Sequence, residues 1–158
     1  MTLRTRTTLL DTADATCRLG QDLAAFLRPG DVILLVGNIG AGKTHFARCL
    51  IQASLNKPED VPSPTYTIIQ SYAGVHGEIW HADLYRLTDA DEAVELGLMD
   101  AFSDAICLVE WPDRLGDMAP KSALELTFEP TTKAEARNLT MRWSDNRWDR
   151  ILREVHHV

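Results

Sequence analysis

Apolar residues follow three patterns along this chain, and each pattern predicts a different kind of element. Residues 32–36 and 105–109 are entirely apolar, which is typical of parallel strands buried on both faces. Apolar and polar residues alternate at 124–128 and 139–143, so these strands have one buried face each. Helical spacing marks residues 13–28. The patterns predict an α/β three-layer fold with a mixed sheet whose C-terminal strands are antiparallel.

Turn and capping residues set the bounds of the remaining elements. Residues 5–10 predict a short edge strand, and Asp11 or Thr12 then caps the first helix. Residues 65–72 and 78–84 predict two strands of a hairpin.

The second half of the chain contains three further predicted helices. Thr88 and Asp91 fit a capping box for a short helix that Gly97 ends, and another short helix is expected from Asp113. Ser144 is the predicted cap of a final helix. The expected buried stripe of that helix is Trp148, Ile151, Leu152 and Val155.

The first apolar run leads directly into a glycine-rich segment, which a segment with helical spacing follows. Residues 37–44 match the phosphate-loop signature G-x-x-x-x-G-K-[ST] at every fixed position, and strand, turn and helix are the context it requires. The eight residues are Gly37, Asn38, Ile39, Gly40, Ala41, Gly42, Lys43 and Thr44. The segment predicts a nucleoside triphosphate site on a helix that ends near residues 56–58.

The residue types of the signature suit this chemistry. Glycine lets consecutive backbone N–H groups converge on one anion, and the following helix points its positive end at the same place. Lys43 has the reach to contact the β- and γ-phosphates, and the Thr44 hydroxyl is a ligand for the accompanying magnesium ion. We therefore expect a nucleoside triphosphate with Mg²⁺.

Acidic residues at two predicted strand ends are candidates for the rest of the site. Glu110 ends the second apolar run, where a magnesium-binding carboxylate is expected, and a solvated strand-end acid is the alternative. Asp83 is a candidate for orienting or deprotonating an attacking water. The spacing D-x-x-R is equally typical of an ion pair with Arg86, and His81 alone fits a structural histidine.

Two further positions have open alternatives. Thr65 lies in an S-P-T segment after the phosphate-loop helix. In nucleotide switches, a loop at this place becomes ordered around the γ-phosphate through a hydroxyl group. The alternative is an ordinary loop, since S-P-T is common loop composition. Trp111 directly follows Glu110 and is either a core aromatic or an exposed sensor beside the metal site. The periodicity of apolar residues does not decide between the core and the exposed location of Trp111.

The charge balance restricts the partners that the chain contacts directly. Its 158 residues include 16 Lys and Arg against 23 Asp and Glu, which gives a net charge of −7. Such a chain lacks the broad positive field with which proteins bind nucleic acid, so any nucleic acid is expected to be reached only through a partner. The length predicts one domain, residues 1–158.

The cysteine pattern bears on the compartment. Cys17, Cys49 and Cys107 are widely spaced and include no C-x-x-C pair. Each lies in an apolar segment, so we expect three buried free thiols rather than a metal or redox site, and hence a reducing compartment. No signal peptide, membrane span or membrane partner is predicted, and the expected location is cytoplasmic.

Together these motifs resemble the TsaE (YjeE) family of P-loop ATPases in bacterial tRNA threonylcarbamoyladenosine synthesis. The resemblance spans nearly the whole chain. Its motifs are T-x-x-L-G at 16–20, the phosphate loop, S-P-T-Y at 63–66, H-x-D-L-Y-R-L at 81–87, V-E-W at 109–111 and A-R-N at 136–138. The resemblance implies a P-loop NTPase fold.

The resemblance also implies an activity and partners. It implies an ATPase that works with the proteins TsaD and TsaB, which transfer a threonylcarbamoyl group to the adenosine beside the anticodon of certain tRNAs. Matched onto this sequence, Lys43 binds phosphate, Thr44 and Glu110 bind magnesium, and Asp83 is the catalytic carboxylate.

Further contacts with ATP are implied by the same resemblance. Thr65 is a switch-like hydroxyl, Trp111 is functionally important, and Arg137 approaches the nucleotide. Residues 11–12 are candidates for the nucleoside side.

Three other activities are alternatives. A small nucleoside or metabolite kinase needs an arginine-rich lid, and no such segment is present in the sequence. A regulatory GTPase needs guanine-reading motifs, and the partial matches at 56–59 and 113–116 stand in the wrong order. A nucleotide-gated binding module with negligible turnover is not separated by sequence from a slow ATPase.

Overall fold

The computed structural model describes residues 2–155 and shows a seven-stranded mixed sheet with helices on both faces. The strands are β1 (Arg4–Leu10), β2 (Val32–Val36), β3 (Ile69–Gly74), β4 (Gly77–Asp83), β5 (Ile106–Glu110), β6 (Leu124–Pro130) and β7 (Arg137–Trp143). The helices are α1 (Ala13–Ala24), α2 (Lys43–Ser54), α3 (Asp91–Glu95), α4 (Leu98–Asp104) and α5 (Asn146–Glu154), with a 3₁₀ helix at Pro112–Met118. The strand order across the sheet is β1-β7-β6-β2-β5-β4-β3.

The strand before the phosphate loop lies at the centre of the sheet. β2 is parallel to β5 on one side and to β6 on the other. Its side chains alternate between two apolar cores, with Ile33 and Leu35 on one face and Val32 and Leu34 on the other. Both faces are therefore covered, which explains the unbroken apolar run and confirms the predicted buried parallel strand.

The two apolar cores separate the fold into three layers. α1, α2 and α5 bury Leu19, Leu50 and Trp148, among others, against one face of the sheet. α3, α4 and the 3₁₀ helix pack against the opposite face. The predicted three-layer α/β fold is confirmed.

Antiparallel pairs occupy both sides of the sheet. β6 pairs with β7 and β7 pairs with β1, while β3 pairs with β4 as a hairpin. The expected mixed sheet with antiparallel C-terminal strands is confirmed, and β1 is the edge strand that the sequence predicted.

Local turns shift several predicted bounds in the first half of the chain. Thr12, rather than Asp11, caps α1 by accepting from the N–H of Ala15 at 3.0 Å. α1 ends at Ala24, short of the predicted bound at 28. β3 begins four residues later than predicted, because the chain turns before it and Ile68 adopts a left-handed φ of 67°.

Capping also differs from expectation in the second half. Asp145, not Ser144, caps α5 by accepting from the N–H of Arg147 at 2.8 Å. The capping box predicted for Thr88 and Asp91 is wrong: Ala90 precedes α3 without a side-chain cap, and the Thr88 hydroxyl donates to Glu92 at 2.8 Å. The stripe Trp148, Ile151, Leu152 and Val155 is buried as predicted. The sequence prediction missed α4, and no helix within residues 2–155 is both long and apolar enough to cross a membrane.

A disulfide bond joins α1 to α2, which corrects the prediction of three free thiols. Cys17 and Cys49 are bonded, with their Cα atoms 5.2 Å apart. The helices approach closely because Gly20 has no side chain: a Cβ there would lie 2.9 Å from the carbonyl oxygen of Phe46. Cys107 is free and buried as predicted, and burial raises the pKa of its thiol to about 12.

We expect reduction of this bond to lower the free energy of unfolding by about 3–4 kcal/mol. The bond closes a loop across a sequence separation of 32 residues, and opening it releases the unfolded chain from that restriction. Urea unfolding of the oxidised and reduced chain measures the difference, and the Cys107→Ala variant should show the same difference. Coincident unfolding curves for the two redox states would contradict this expectation.

Candidate functional site

The candidate site is a cavity of about 470 Å³ at the carboxyl ends of β2, β4 and β5. This is the edge at which ligands bind in open α/β sheets. Lining residues come from the phosphate loop, from both acidic strand ends and from the start of α1. They are Ala13, Thr16, Ile39, Gly40, Gly42, Lys43, Thr44, His45, Thr65, Asp83, Tyr85, Arg86, Glu110, Trp111, Glu135 and Arg137.

The phosphate loop requires glycine at two positions for different reasons. At Gly37 a Cβ would lie 2.7 Å from the carbonyl oxygen of Phe128, so the close approach of β6 excludes a side chain. Gly42 has a φ of 107° as the residue before α2, a conformation that side chains disfavour. Both glycines shape a loop whose N–H groups precede the α2 N-terminus, the arrangement that favours bound phosphate.

Arg137 forms hydrogen bonds with the backbone of the phosphate loop. Its Nε donates to the carbonyl oxygen of Ala41 at 2.8 Å, and its Nη2 donates to that of Gly40 at 3.2 Å. The residue lines the cavity and its guanidinium contacts the loop backbone, while its approach to the nucleotide stays a prediction.

Lys43 is buried at the start of α2 with only 4% of its surface exposed. Its ammonium donates to the carbonyl oxygen of Gly37 at 2.5 Å and lies 3.8 Å from the centre of the Trp111 ring. Burial lowers the pKa of the ammonium, while the carboxylates of Glu110 and Asp83 oppose that shift. The cation is thus held at the cavity wall.

Thr44 and Glu110 lie together because β2 and β5 are parallel neighbours. The Thr44 hydroxyl lies 3.0 Å and 3.2 Å from the two carboxylate oxygens of Glu110. Glu110 is 2% exposed, so the solvated strand-end alternative is wrong. Hydroxyl and carboxylate oxygens are the ligand types that Mg²⁺ prefers, and the residues present therefore fit that ion.

His81 is a partner of Glu110. Its Nε2 lies 2.7 Å from a Glu110 oxygen, and the ring is fully buried. Nε2 is the donor in this bond, since a carboxylate only accepts. Sequence reasoning treated His81 as a structural residue. His81 lies on β4, the neighbour of β5, and this strand order brings it beside the Glu110 carboxylate.

Asp83 lies at the same sheet edge, directly opposite Glu110 in the β4–β5 register. It is 8% exposed, and one of its oxygens accepts from the N–H of Tyr85 at 3.1 Å. Burial raises the pKa of this carboxyl, and the Glu110 carboxylate adds to the shift. Within residues 2–155, Asp83 forms no ion pair with Arg86, whose guanidinium lies over the Tyr66 ring at 4.7 Å, so that alternative is wrong.

An aromatic group forms the cavity wall beside these acids. Trp111 has a left-handed φ of 57°, and its ring lies 4.8 Å from that of Tyr85. It lines the cavity and packs against the edge of the apolar core, and its role as a sensor stays a prediction. The Thr65 hydroxyl lies 2.7 Å from that of Ser63 and lines the cavity.

Several predicted residues occupy other places, and several lining residues escaped prediction. Asn38 and Gly37 face a second cavity beyond Trp111, and Ala41 is buried beneath the loop. Thr12 caps α1, whose first turn lines the main cavity. The lining residues that were not predicted are Ala13, Thr16, His45, Tyr85 and Glu135. His45 could have been predicted, because it directly follows Thr44 in the sequence. Glu135 could not, because it lies in a loop that carries no motif.

Comparisons with known proteins bear on the family. The family described as "Threonylcarbamoyl adenosine biosynthesis protein TsaE" matches residues 10–139 of this chain. The tRNA threonylcarbamoyladenosine biosynthesis protein TsaE of Bacillus subtilis is 35% identical over 133 residues, which are 84% of this chain and 82% of that protein. The protein of the same name from Rickettsia bellii is 34% identical over 122 residues, 77% of this chain and 85% of its own.

A solved structure agrees with these sequence matches. The crystal structure of Bacillus subtilis YdiB has a TM-score of 0.77 and 26% sequence identity with this chain, covering 98% of this chain and 96% of that one. The P-loop fold is thereby confirmed. The chain belongs to the TsaE family of tRNA threonylcarbamoyladenosine biosynthesis proteins.

Proposed function

We propose that this protein binds ATP with Mg²⁺ and hydrolyses it slowly, as the ATPase component of threonylcarbamoyladenosine synthesis on tRNA. The observation that carries the proposal is the contact of the Thr44 hydroxyl with the Glu110 carboxylate, at 3.0 Å, beside the buried Lys43. A phosphate loop, a cation and two oxygen ligands converge there on one cavity. Membership of a family that acts in tRNA modification supports the proposal that ATP hydrolysis serves this process.

Residues at the carboxyl end of β5 and the start of α2 would hold magnesium. Thr44 and Glu110 would bind the ion, and the hydrogen bond from His81 would keep the Glu110 carboxylate oriented. When bound, Mg²⁺ neutralises charge on the β- and γ-phosphate oxygens. Lys43 leaves the Gly37 carbonyl to bind phosphate, and the loop N–H groups surround the same anion.

Asp83 is the proposed catalytic carboxylate. Its position opposite Glu110, in the lining of the cavity, supports this role. Burial raises the pKa of the Asp83 carboxyl, so this group accepts a proton from water more readily than a solvent-exposed carboxylate does. Thr65, on the loop that lines the cavity, is the proposed switch hydroxyl that responds to the γ-phosphate.

The proposed partners are TsaD and TsaB, with tRNA reached only through them. The net charge of −7 supports this arrangement, since direct capture of tRNA requires a positive surface. Slow turnover by the isolated chain is expected when no arginine finger is supplied in cis. Arg86 and Arg137 line the cavity, but the Arg86 guanidinium lies over the Tyr66 ring and that of Arg137 donates to the Gly40 and Ala41 carbonyl oxygens. Arg114 donates to the Tyr85 carbonyl oxygen, so all three guanidinium groups already have partners within the chain.

We expect Lys43→Ala to lower ATP affinity by about 30- to 150-fold. Loss of a charge-assisted contact with phosphate costs about 2–3 kcal/mol. Titration calorimetry with Mg-ATP measures the change, and Lys57→Ala, an exposed lysine beyond α2, is the matched control. Unchanged ATP affinity in the Lys43 variant would show that this lysine does not bind the phosphates.

We expect Asp83→Ala to bind ATP normally but to hydrolyse it about 10²- to 10⁴-fold more slowly. A group that orients water acts mainly in the transition state, so its loss lowers kcat without weakening ground-state binding. Phosphate release and calorimetry on the same samples separate the two effects. Asp104→Ala, an exposed acid ahead of β5, is the control. Wild-type hydrolysis by the Asp83 variant would assign Asp83 a structural role.

We expect the TsaB–TsaD pair to stimulate phosphate release, and Trp111→Ala to lose stimulation more than ATP affinity. Trp111 contacts both Lys43 and Tyr85, so its position depends on the state of the nucleotide site. Phosphate release with and without the partners and tRNA measures the effect. Trp111→Phe, which keeps an aromatic ring over the lysine, should retain part of the stimulation. Equal stimulation of the wild type and Trp111→Ala would contradict this role.

A further inference from the structure

Three side chains that ligate soft metals lie together on the helices beside the nucleotide cavity. Cys17 of α1 and His45 and Cys49 of α2 each offer one ligand atom, and these atoms lie within 4.8 Å of one another. None of the three has a role in the proposed ATP chemistry. We call this group the Cys-His cluster.

Helix geometry explains the cluster. His45 and Cys49 are four residues apart on α2 and therefore lie on the same face. Cys17 meets that face because Gly20, one helical turn further along α1, allows the two helix backbones to approach. The helices hold the three ligands on regular structure rather than on loops, so little ordering is needed for them to converge.

The donor set suits one class of ion. Two thiolates and an imidazole are ligands that Zn²⁺ takes in tetrahedral sites, whereas Mg²⁺ prefers oxygen. The Nε2 atom of His45 lies 3.0 Å from the carbonyl oxygen of Ala13. With the proton on Nε2, this bond leaves the lone pair on Nδ1, and such a second hydrogen bond to a carbonyl is the usual support of a metal-binding histidine.

We propose that the reduced chain binds one Zn²⁺ ion through Cys17, His45 and Cys49, and that the disulfide is the oxidised, metal-free state of the same site. A dithiol reductant supplies two electrons and two protons to the disulfide and is itself oxidised to a disulfide. Each cysteine thiol then releases its proton to solvent as its sulfur binds the ion. Solvent completes the tetrahedral coordination.

The position of the cluster gives the site a structural consequence. Cys17 and Cys49 connect α1 to α2 through sulfur in the oxidised state, and the ion connects the same helices in the reduced state. Ala13, Thr16 and His45 of these helices line the nucleotide cavity. The helix pair that supports the cavity therefore stays cross-linked in either redox condition.

The test is a Co²⁺ titration of the full-length chain, reduced and freed of reductant, under anaerobic conditions without nucleotide or Mg²⁺. We expect one Co²⁺ per chain, with a thiolate-to-cobalt charge-transfer band and the visible bands of tetrahedral cobalt, and displacement of both by Zn²⁺. Cys17→Ser and Cys49→Ser should lose the charge-transfer band at stoichiometric metal. His45→Ala should lower Zn²⁺ affinity by at least about tenfold.

Matched controls distinguish this site from other thiols. Cys107→Ala removes the buried cysteine of β5 and should titrate like the wild type. The oxidised chain should show no charge-transfer band. Absence of a stoichiometric band in the reduced wild type, or a wild-type titration by Cys17→Ser, would overturn the proposal.

A measurement on the unmodified chain covers the case in which a serine variant does not fold. Zn²⁺ should protect Cys17 and Cys49 of the reduced wild type from alkylation, as mapped on their separate peptides, and should raise the Tm of that chain. Equal alkylation with and without Zn²⁺ would contradict the site. The test uses no nucleotide, so failure here leaves the ATPase proposal standing, and failure of the ATPase proposal leaves this site standing.

Discussion

Parallel pairing of β2 with β5 is the constraint on which the site depends. The register sets Leu35 opposite Glu110, so the strand that carries the phosphate loop and the strand that carries the acid end at the same edge. Thr44, on the first turn after the loop, then meets the Glu110 carboxylate. Apolar side chains on both faces of the two strands stabilise this pairing, at about 25 cal/mol for each Å² of apolar surface removed from water.

The same edge concentrates charge in a buried setting. Lys43, Asp83 and Glu110 are each less than a tenth exposed, and one cation faces two carboxyl groups there. Burial alone disfavours each charged form, and the opposite charges partly offset that cost. A ligand that brings several negative charges together with a divalent cation matches this arrangement better than a neutral ligand does.

Local motifs were predictable from sequence, whereas contacts across the sheet were not. The phosphate loop is a contiguous segment whose conformation follows from its own glycines, and β5 is recognisable from its apolar run alone. The bond between His81 and Glu110 depends on β4 lying next to β5, which no spacing in the chain reveals. The cysteine prediction failed for a similar reason, since Cys17 and Cys49 meet only through the packing of α1 on α2.

Arg137 illustrates how a residue influences anion binding through the backbone. Its guanidinium takes up the carbonyl oxygens of Gly40 and Ala41, two groups whose partial negative charge would repel phosphate if they faced it. β7 supplies this arginine and also pairs with β1, so Arg137 ties the loop to the antiparallel side of the sheet. Two peptide groups of the loop are thus fixed by a side chain that lies 96 positions from Ala41 in the sequence.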